Sequence, residues 1–162
     1  MRNDRSVFFA LAGLAACAFA LSAGAQDHQH KMTERTAGAD ARQLVKFPEP
    51  MRVHTITSMR DHLSALQEIN VALLSRNEFD RAASIAEQRL GISSLGLHGA
   101  SHIAPFMPQG MQDIGTRMHR AASRFAVEAE NASASNDVRP ALGALGTVMQ
   151  ECVACHAAYR LH

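Results

Sequence analysis

The sequence contains few aromatic residues, little proline and no excess of charge of either sign. It has no Trp, one Tyr and five Pro among 162 residues, and its formal net charge is +1. A chain without a strongly basic character lacks the charge that nucleic-acid binding requires, so we expect no nucleic-acid partner. The sequence also shows no paired carboxylates, no nucleophile beside an orienting base and no phosphate-binding loop, which argues against an enzyme. Hydrophobic residues make up 47% of the chain and helix breakers are few, which predicts one α-rich domain.

Long hydrophobic runs are missing except near the start of the chain. Two arginines precede an apolar run at 6–21, and Ala23-Gly24-Ala25 offers a small-residue cleavage site. This pattern predicts a signal peptide at 1–25, a mature chain that begins at Gln26 and a location in the periplasm. The run is short for a membrane span and no second run follows, so we expect no membrane span.

A second interpretation of the same region stays open. Leu14-Ala15-Ala16-Cys17 resembles the lipobox of a lipoprotein, in which Cys17 becomes the acylated first residue. The residues that follow Cys17 remain apolar, whereas a lipoprotein usually turns polar there. We therefore favour cleavage after Ala25 and keep acylation of Cys17 as the alternative.

The rest of the chain divides into a polar leader and a helical region. Residues 26–50 show no sustained period, which predicts a flexible leader. Beyond them, apolar residues recur every three or four positions in four stretches, as in amphipathic helices. The predicted helices cover about 51–75, 78–90 with an open extension towards Leu97, 111–130 and 138–159, and a loop is predicted at 98–110. Such helices with mostly short connections favour an all-α fold, an antiparallel four-helix bundle at 51–162.

The sequence also suggests helix ends and one inward face. The run Asn131 to Asn136 is predicted to close the third helix, and Asp137 is a good N-cap for the fourth. The predicted inward face of the first helix consists of Ile56, Met59, Leu63, Leu66, Asn70 and Leu73. That face should pack in the core of the bundle.

The most specific motif is Cys152-Val153-Ala154-Cys155-His156. On a helix, Cys152 and His156 share one face, and Cys155 lies one step round the same turn. Two thioether bonds can therefore attach the edge of a haem while the adjacent imidazole reaches its iron. A zinc site is a weaker interpretation because it needs a second pair of ligands. A redox dithiol is weaker too, since such a pair usually opens a helix that follows a strand.

With the following Ala157-Ala158-Tyr159-Arg160, this motif near the C-terminal end resembles the class II cytochromes c, the cytochrome c-prime superfamily. The resemblance covers roughly 51–162. It implies one haem c per chain, with Cys152 and Cys155 as attachment points and His156 as the proximal iron ligand. It also implies that Arg160 lies near a propionate or the haem edge. The alternative interpretation is that Arg160 is simply a cation of the kind favoured in the last turn of a helix.

The resemblance further implies that the distal residue comes from the first helix. Phe79-Asp80 is similar to an aromatic-Asp pair of the family, and counting back from it gives Met59. His62, one turn further on, is the alternative distal ligand. A methionine at helical spacing is also common core filler, because its flexible side chain fills gaps. The arginine that usually precedes the distal residue by a turn is replaced by Thr55, so propionate pairing falls to Arg52 or Arg60, or is absent.

A second group of metal-binding residue types lies between residues 98 and 119. It consists of His98, His102, Met107, Met111, Met118 and His119. Thioether and imidazole donors suit copper(I), and histidines four apart can chelate a metal. Met111 and Met118, however, also lie on the predicted inward face of the third helix.

Three function classes follow from these motifs. We favour a periplasmic electron carrier, a redox component rather than an enzyme, with both axial positions of the iron filled and redox proteins as partners. An open distal face would instead give a five-coordinate cytochrome that binds nitric oxide. The residues between 98 and 119 would support a copper-handling protein. Related bundles often form homodimers, which the resemblance allows for this chain.

Overall fold

A computed structural model describes residues 40–162 of the chain. The predicted signal peptide at 1–25, the alternative acylation of Cys17 and the leader up to residue 39 lie outside the described residues. The described part is predominantly helical, which confirms the all-α class. None of its helices is long and apolar enough to cross a membrane.

The described residues form five α-helices and two short strands. In chain order these are β1 (Gln43–Val45), α1 (Glu49–Leu73), α2 (Phe79–Arg89), α3 (Ala100–Ile103), α4 (Gln109–Ser135), α5 (Arg139–Ala158) and β2 (Tyr159–Leu161). Single 3₁₀ turns occur at Arg76–Glu78, Ile92–Ser94 and Ala104–Phe106. The predicted loop at 98–110 therefore contains α3 and one of these turns.

The ends of the long helices follow local backbone chemistry. Pro48 and Pro108 are the cap residues directly before α1 and α4, where a fixed φ and a missing N–H are tolerated. The helix α4 continues through 131–135, beyond its predicted end, and the chain leaves it at Asn136 with φ 59°. Asparagine tolerates this left-handed conformation better than most residues, so it stops the helix.

The predicted N-cap of α5 is displaced by one residue. Val138 occupies the cap position, and the Asp137 carboxylate accepts a hydrogen bond from the backbone N–H of Arg139 at 3.1 Å. Asp137 thus satisfies an otherwise unpaired donor of the first turn, which is the physical role that was expected of it.

The main core joins α1, α2, α4 and α5 through small apolar side chains. The helices α1 and α2, α2 and α4, and α4 and α5 pack against each other, whereas α1 and α5 have little direct contact. Alanines dominate the packed faces and Phe125 is fully buried at their centre. Small side chains allow the helix axes to approach closely, so this part of the molecule is filled by its own residues.

The first helix buries a different face from the predicted one. Met59 and Leu63, expected in the core, are 40% and 68% exposed. The buried residues of α1 are Thr55, His62, Ala65, Ile69 and Ala72. Both sets recur at helical spacing, so periodicity alone does not decide which of them packs against α2. Met59 and Leu63 line the gap between α1 and α5 instead. Leu66 and Leu73 of the predicted face are partly buried and do pack against the main core.

The chain before α1 contributes a strand in a region that was predicted to be a flexible leader. The strands β1 and β2 pair in parallel, with Leu44 opposite Arg160. Val45 and Phe47 are buried beside Ile103 and Met111 in a second apolar cluster. The predicted leader therefore ends before residue 43, because residues 43–50 belong to the packed domain.

Candidate cofactor site

Two adjoining clefts occupy the gap between α1 and α5. Their volumes are about 270 and 410 Å³, and Met59, Cys155 and His156 line both. Sites for small molecules and cofactors typically measure about 300–1,000 Å³. The gap therefore has the size of a cofactor site and contains the C-terminal part of the Cys-x-x-Cys-His motif.

The two clefts differ in the chemistry of their walls. The smaller one is lined mainly by apolar side chains, among them Leu63, Leu66, Ile114 and Met118, together with His62, His156 and Glu151. The larger one adds Arg42, Tyr159 and Arg160. One end of the gap therefore suits an apolar group and the other end suits an anion.

The motif lies in the last two turns of α5. Cys152 and Cys155 are half-buried free thiols, and the His156 side chain is exposed. Cys152 packs against the main core and Cys155 against the second apolar cluster, which fixes both side chains on the wall of the gap. Burial raises the pKa of both thiols, so they are protonated at neutral pH.

The two predicted distal residues both reach the gap from α1. Met59 lines both clefts together with His156, whereas His62 lines only the smaller cleft. His62 is 8% exposed, and its Nε2 lies 3.2 Å from Nε2 of His98. Met59 is therefore the free donor across the gap from His156, and one ring nitrogen of His62 already has a partner.

Two arginines stand at the polar end of the gap. Nε of Arg160 is buried without a hydrogen-bond partner, and its nearest carboxylate oxygen, on Asp40, is 3.5 Å away. Arg42 forms a 2.7 Å ion pair with Asp40, and its Nη1 donates to the carbonyl of His156 at 3.4 Å. The pKa of Asp40 is lowered to about 2, chiefly by the hydrogen bonds from Arg42. An anion bound at this end would supply the partner that Arg160 lacks.

These arginines differ from the pair that the sequence suggested. Arg52 is paired with Glu49 at 2.7 Å, and neither Arg52 nor Arg60 lines the two clefts. Arg42 was not predicted as a site residue, because it lies beside α5 only through the pairing of β1 with β2. The single local signal was the short apolar alternation at 44–47, which marks a strand.

The second predicted group of metal-binding residues is divided by the fold. His98, Met107, Met111 and His119 line a separate cavity of about 180 Å³, Met118 lines the smaller cleft, and His102 is exposed. Within residues 40–162, no three His, Cys, Asp or Glu side chains are already closed around a common point as a metal site. The predicted copper-binding group is therefore not assembled as a unit.

Comparison of the chain with protein-family models, with curated proteins and with solved structures finds no match. The interpretation of the site therefore depends on its own residues and geometry.

Proposed function

We propose that this protein is an exported monohaem c-type cytochrome that carries electrons between redox proteins in the periplasm. In this proposal its helices form the four-helix bundle of the class II cytochromes c. The observation that carries the proposal is the position of the Cys-x-x-Cys-His motif. It lines a gap between two helices, with an unpaired methionine on the opposite wall.

The apolar wall of the gap supports a haem rather than a small polar ligand. Leu63 is exposed in the protein alone, and Met59 is 40% exposed. Both line the gap and would lose contact with water against the flat apolar face of a porphyrin, which stabilises the complex by about 25 cal/mol per Å². The residues of the gap therefore fit an apolar macrocycle.

The polar end of the gap supports the same assignment. Haem carries two propionates, and the guanidinium groups of Arg42 and Arg160 line this end of the cleft. The buried Nε of Arg160 has no acceptor in the protein alone. A carboxylate there would accept a charge-assisted hydrogen bond, and Arg160 would then orient the cofactor.

In this proposal the Cys-x-x-Cys-His motif attaches the haem covalently, and the motif histidine and the opposite methionine ligate its iron. Cys152 and Cys155 would form thioether bonds, and His156 would supply the proximal imidazole. Met59 would supply the distal thioether, with His62 as the alternative. When bound, haem supplies a one-electron iron couple, and methionine ligation raises its reduction potential relative to a second imidazole.

Electron transfer to a partner protein requires an exposed edge of the cofactor and little else from the chain. Val153, between the two cysteines, is exposed on α5 and lines neither cleft of the gap. A partner docking over this surface would approach the haem edge without opening the fold. No proton transfer or bond-making group is required from the chain, which fits an electron carrier better than an enzyme.

The direct test is production of the full chain in a cell with a working cytochrome c maturation system. We expect a coloured protein whose mass exceeds that of the bare polypeptide by one haem. Its absorption spectrum should be low-spin with a thioether-to-iron band. A colourless product with the mass of the bare polypeptide would overturn the proposal.

The spectrum also tests the distal ligand. Met59→Leu should open the sixth coordination position, give a high-spin spectrum and allow carbon monoxide to bind quickly. Met149→Leu is the matched control, since Met149 is exposed on α5 and lines neither cleft of the site. An unaltered low-spin spectrum in Met59→Leu would transfer the assignment to His62. A high-spin wild type would favour the nitric-oxide-binding alternative.

A further inference from the structure

Three buried histidines meet beside the gap, and of these only His62 is a candidate cofactor ligand, as the alternative to Met59. His62 comes from α1, His119 from α4, and His98 from the segment between α2 and α3. All three are buried. Imidazoles are usually only partly buried, so three of them in one place invite an explanation.

The spacing of the three rings resembles that of ligands on one ion. Two imidazoles on a tetrahedral ion, with metal–nitrogen bonds of about 2.0–2.1 Å, place their donor atoms roughly 3.3 Å apart and their ring centres about 5 Å apart. The Nε2 atoms of His62 and His98 are 3.2 Å apart. The ring centres are separated by 4.5 Å for His62 and His98, 5.5 Å for His98 and His119, and 6.1 Å for His62 and His119.

Hydrogen bonds behind two of the rings select the nitrogen that can bind a metal. Nδ1–H of His119 donates to the carbonyl of Leu90 at 2.7 Å, which leaves Nε2 with its lone pair. The hydroxyl of Ser94 donates to the carbonyl of Gly91 at 2.7 Å. Its oxygen, 3.4 Å from Nδ1 of His98, is then free to accept from that ring. Such second contacts fix the tautomer and orientation of metal-binding histidines.

The electrostatic surroundings also permit a cation. Burial lowers the pKa of all three imidazoles, that of His62 to about 4, so they are neutral at neutral pH. Neutral imidazole is the form that binds metal. Asp61, next to His62 in the chain, pairs with Arg89, which also pairs with Glu68, so this group of three charges carries one net negative charge. A bound cation would therefore meet attraction rather than repulsion.

From this arrangement the geometry points to a divalent transition-metal site formed by Nε2 of His62, His98 and His119. The site is not closed in the protein alone, and His119 must move inward by about 1 Å to match the expected ring separation. Without metal, Nε2–H of His62 donates to Nε2 of His98. On binding, His62 takes the other neutral tautomer, with its proton on Nδ1. The adjoining cavity of about 180 Å³ leaves room for a water as fourth ligand.

The test is titration of the haem-loaded, metal-stripped full mature chain with Zn²⁺ by calorimetry, with metal content measured by mass spectrometry. The chain carries His28→Ala and His30→Ala, because these two leader histidines could bind metal by themselves. We expect one Zn²⁺ per chain and a rise in the midpoint of thermal unfolding. Cobalt(II) should give the intense visible bands of tetrahedral coordination.

Variants then assign the ligands. His98→Ala and His119→Gln should each weaken Zn²⁺ binding more than about 100-fold, because loss of a second contact alone commonly costs 10–100-fold. His102→Ala is the matched control, since His102 is exposed one turn further along the chain. The thermal shift with Zn²⁺ should disappear in His119→Gln, a variant of similar polarity that serves if His98→Ala does not fold.

Two outcomes overturn the metal site. Absence of Zn²⁺ binding, or unchanged binding in both variants, would mean that the histidines form a hydrogen-bonded core network. Loss of the low-spin haem spectrum in His62→Ala with retained Zn²⁺ binding would make His62 an iron ligand and remove it from the site. The haem spectrum and the Zn²⁺ stoichiometry are separate readouts, so failure of this site is distinguishable from failure of the proposed cytochrome function.

Discussion

The two sides of α1 show how differently one helix can use its apolar residues. On the side towards α2, the residues Ala65, Ile69 and Ala72 are fully buried in the main core. On the side towards α5, the larger Met59 and Leu63 are exposed and line the gap. The first side is complete with the protein's own atoms, whereas the second side has apolar surface without a partner.

This difference distinguishes the part of the fold that is fully packed from the gap between α1 and α5, where the packing is incomplete. A large exposed apolar patch that is bordered by polar residues often marks a binding site. The gap also contains the two free thiols and an unpartnered guanidinium nitrogen. Apolar side chains, thiols and a cationic group therefore occur together where the packing is incomplete, which is the combination that the proposed cofactor requires.

The largest effect should come from removing both attachment points. The double variant Cys152→Ala and Cys155→Ala leaves no thiol for a thioether bond, so the exported protein should have the mass of the bare polypeptide. Val153→Ala is the matched control, because Val153 lies between the cysteines and is exposed. Mass spectrometry with a haem stain gives the answer. Retained covalent haem in the double variant would contradict the attachment.

In the protein without cofactor, substitutions in the main core should lower the free energy of unfolding more than substitutions of residues that line the gap. Phe125→Ala creates a cavity in the main core and should lower the free energy of unfolding by about 3–5 kcal/mol. Val127→Ala, exposed two residues later on α4, should change it by less than about 0.5 kcal/mol. Chemical denaturation of the cofactor-free protein measures both. Equal losses would mean that the core is not where the packing energy lies.

Substitutions of apolar residues that line the gap should lower the free energy of unfolding only when the cofactor is bound. Leu63→Ala should cost less than about 0.5 kcal/mol in the cofactor-free protein, because the side chain is largely exposed. In the haem-loaded protein the same change should cost about 1–2 kcal/mol, since Leu63 would then be buried against the porphyrin. Leu74→Ala, exposed just beyond the end of α1, should cost little in either form. Identical effects of Leu63→Ala in both forms would place the cofactor elsewhere.

The same comparison explains what the sequence could and could not predict. Periodicity gave the four long helices to within a few residues, because amphipathic spacing is a local property. It assigned Met59 and Leu63 to the core, since an apolar face that lines a cleft repeats like a face that packs against a helix. Arg42 was missed for a different reason. Its position depends on the parallel pairing of β1 with β2, a contact between segments more than a hundred residues apart.

The smallest predicted effect concerns the polar end of the gap. Arg160→Gln removes a positive charge that favours the reduced iron, which carries one positive charge fewer than the oxidised iron. The guanidinium is about one third exposed, so solvent screening reduces its influence. We therefore expect about 0.2–1 kcal/mol, equivalent to a fall of about 10–40 mV in the one-electron reduction potential.

Potentiometric titration of Arg160→Gln and of Arg139→Gln separates this local effect from the loss of any cation. Arg139 is highly exposed at the start of α5, the opposite end of the helix from the motif. Its replacement should leave the potential unchanged at physiological ionic strength, because charges beyond about 8 Å in water are largely screened. A rise in the potential of Arg160→Gln, or equal shifts in the two variants, would contradict a propionate at Arg160. The cofactor-free protein should tolerate Arg160→Gln, since the change removes a buried nitrogen that has no hydrogen-bond partner there.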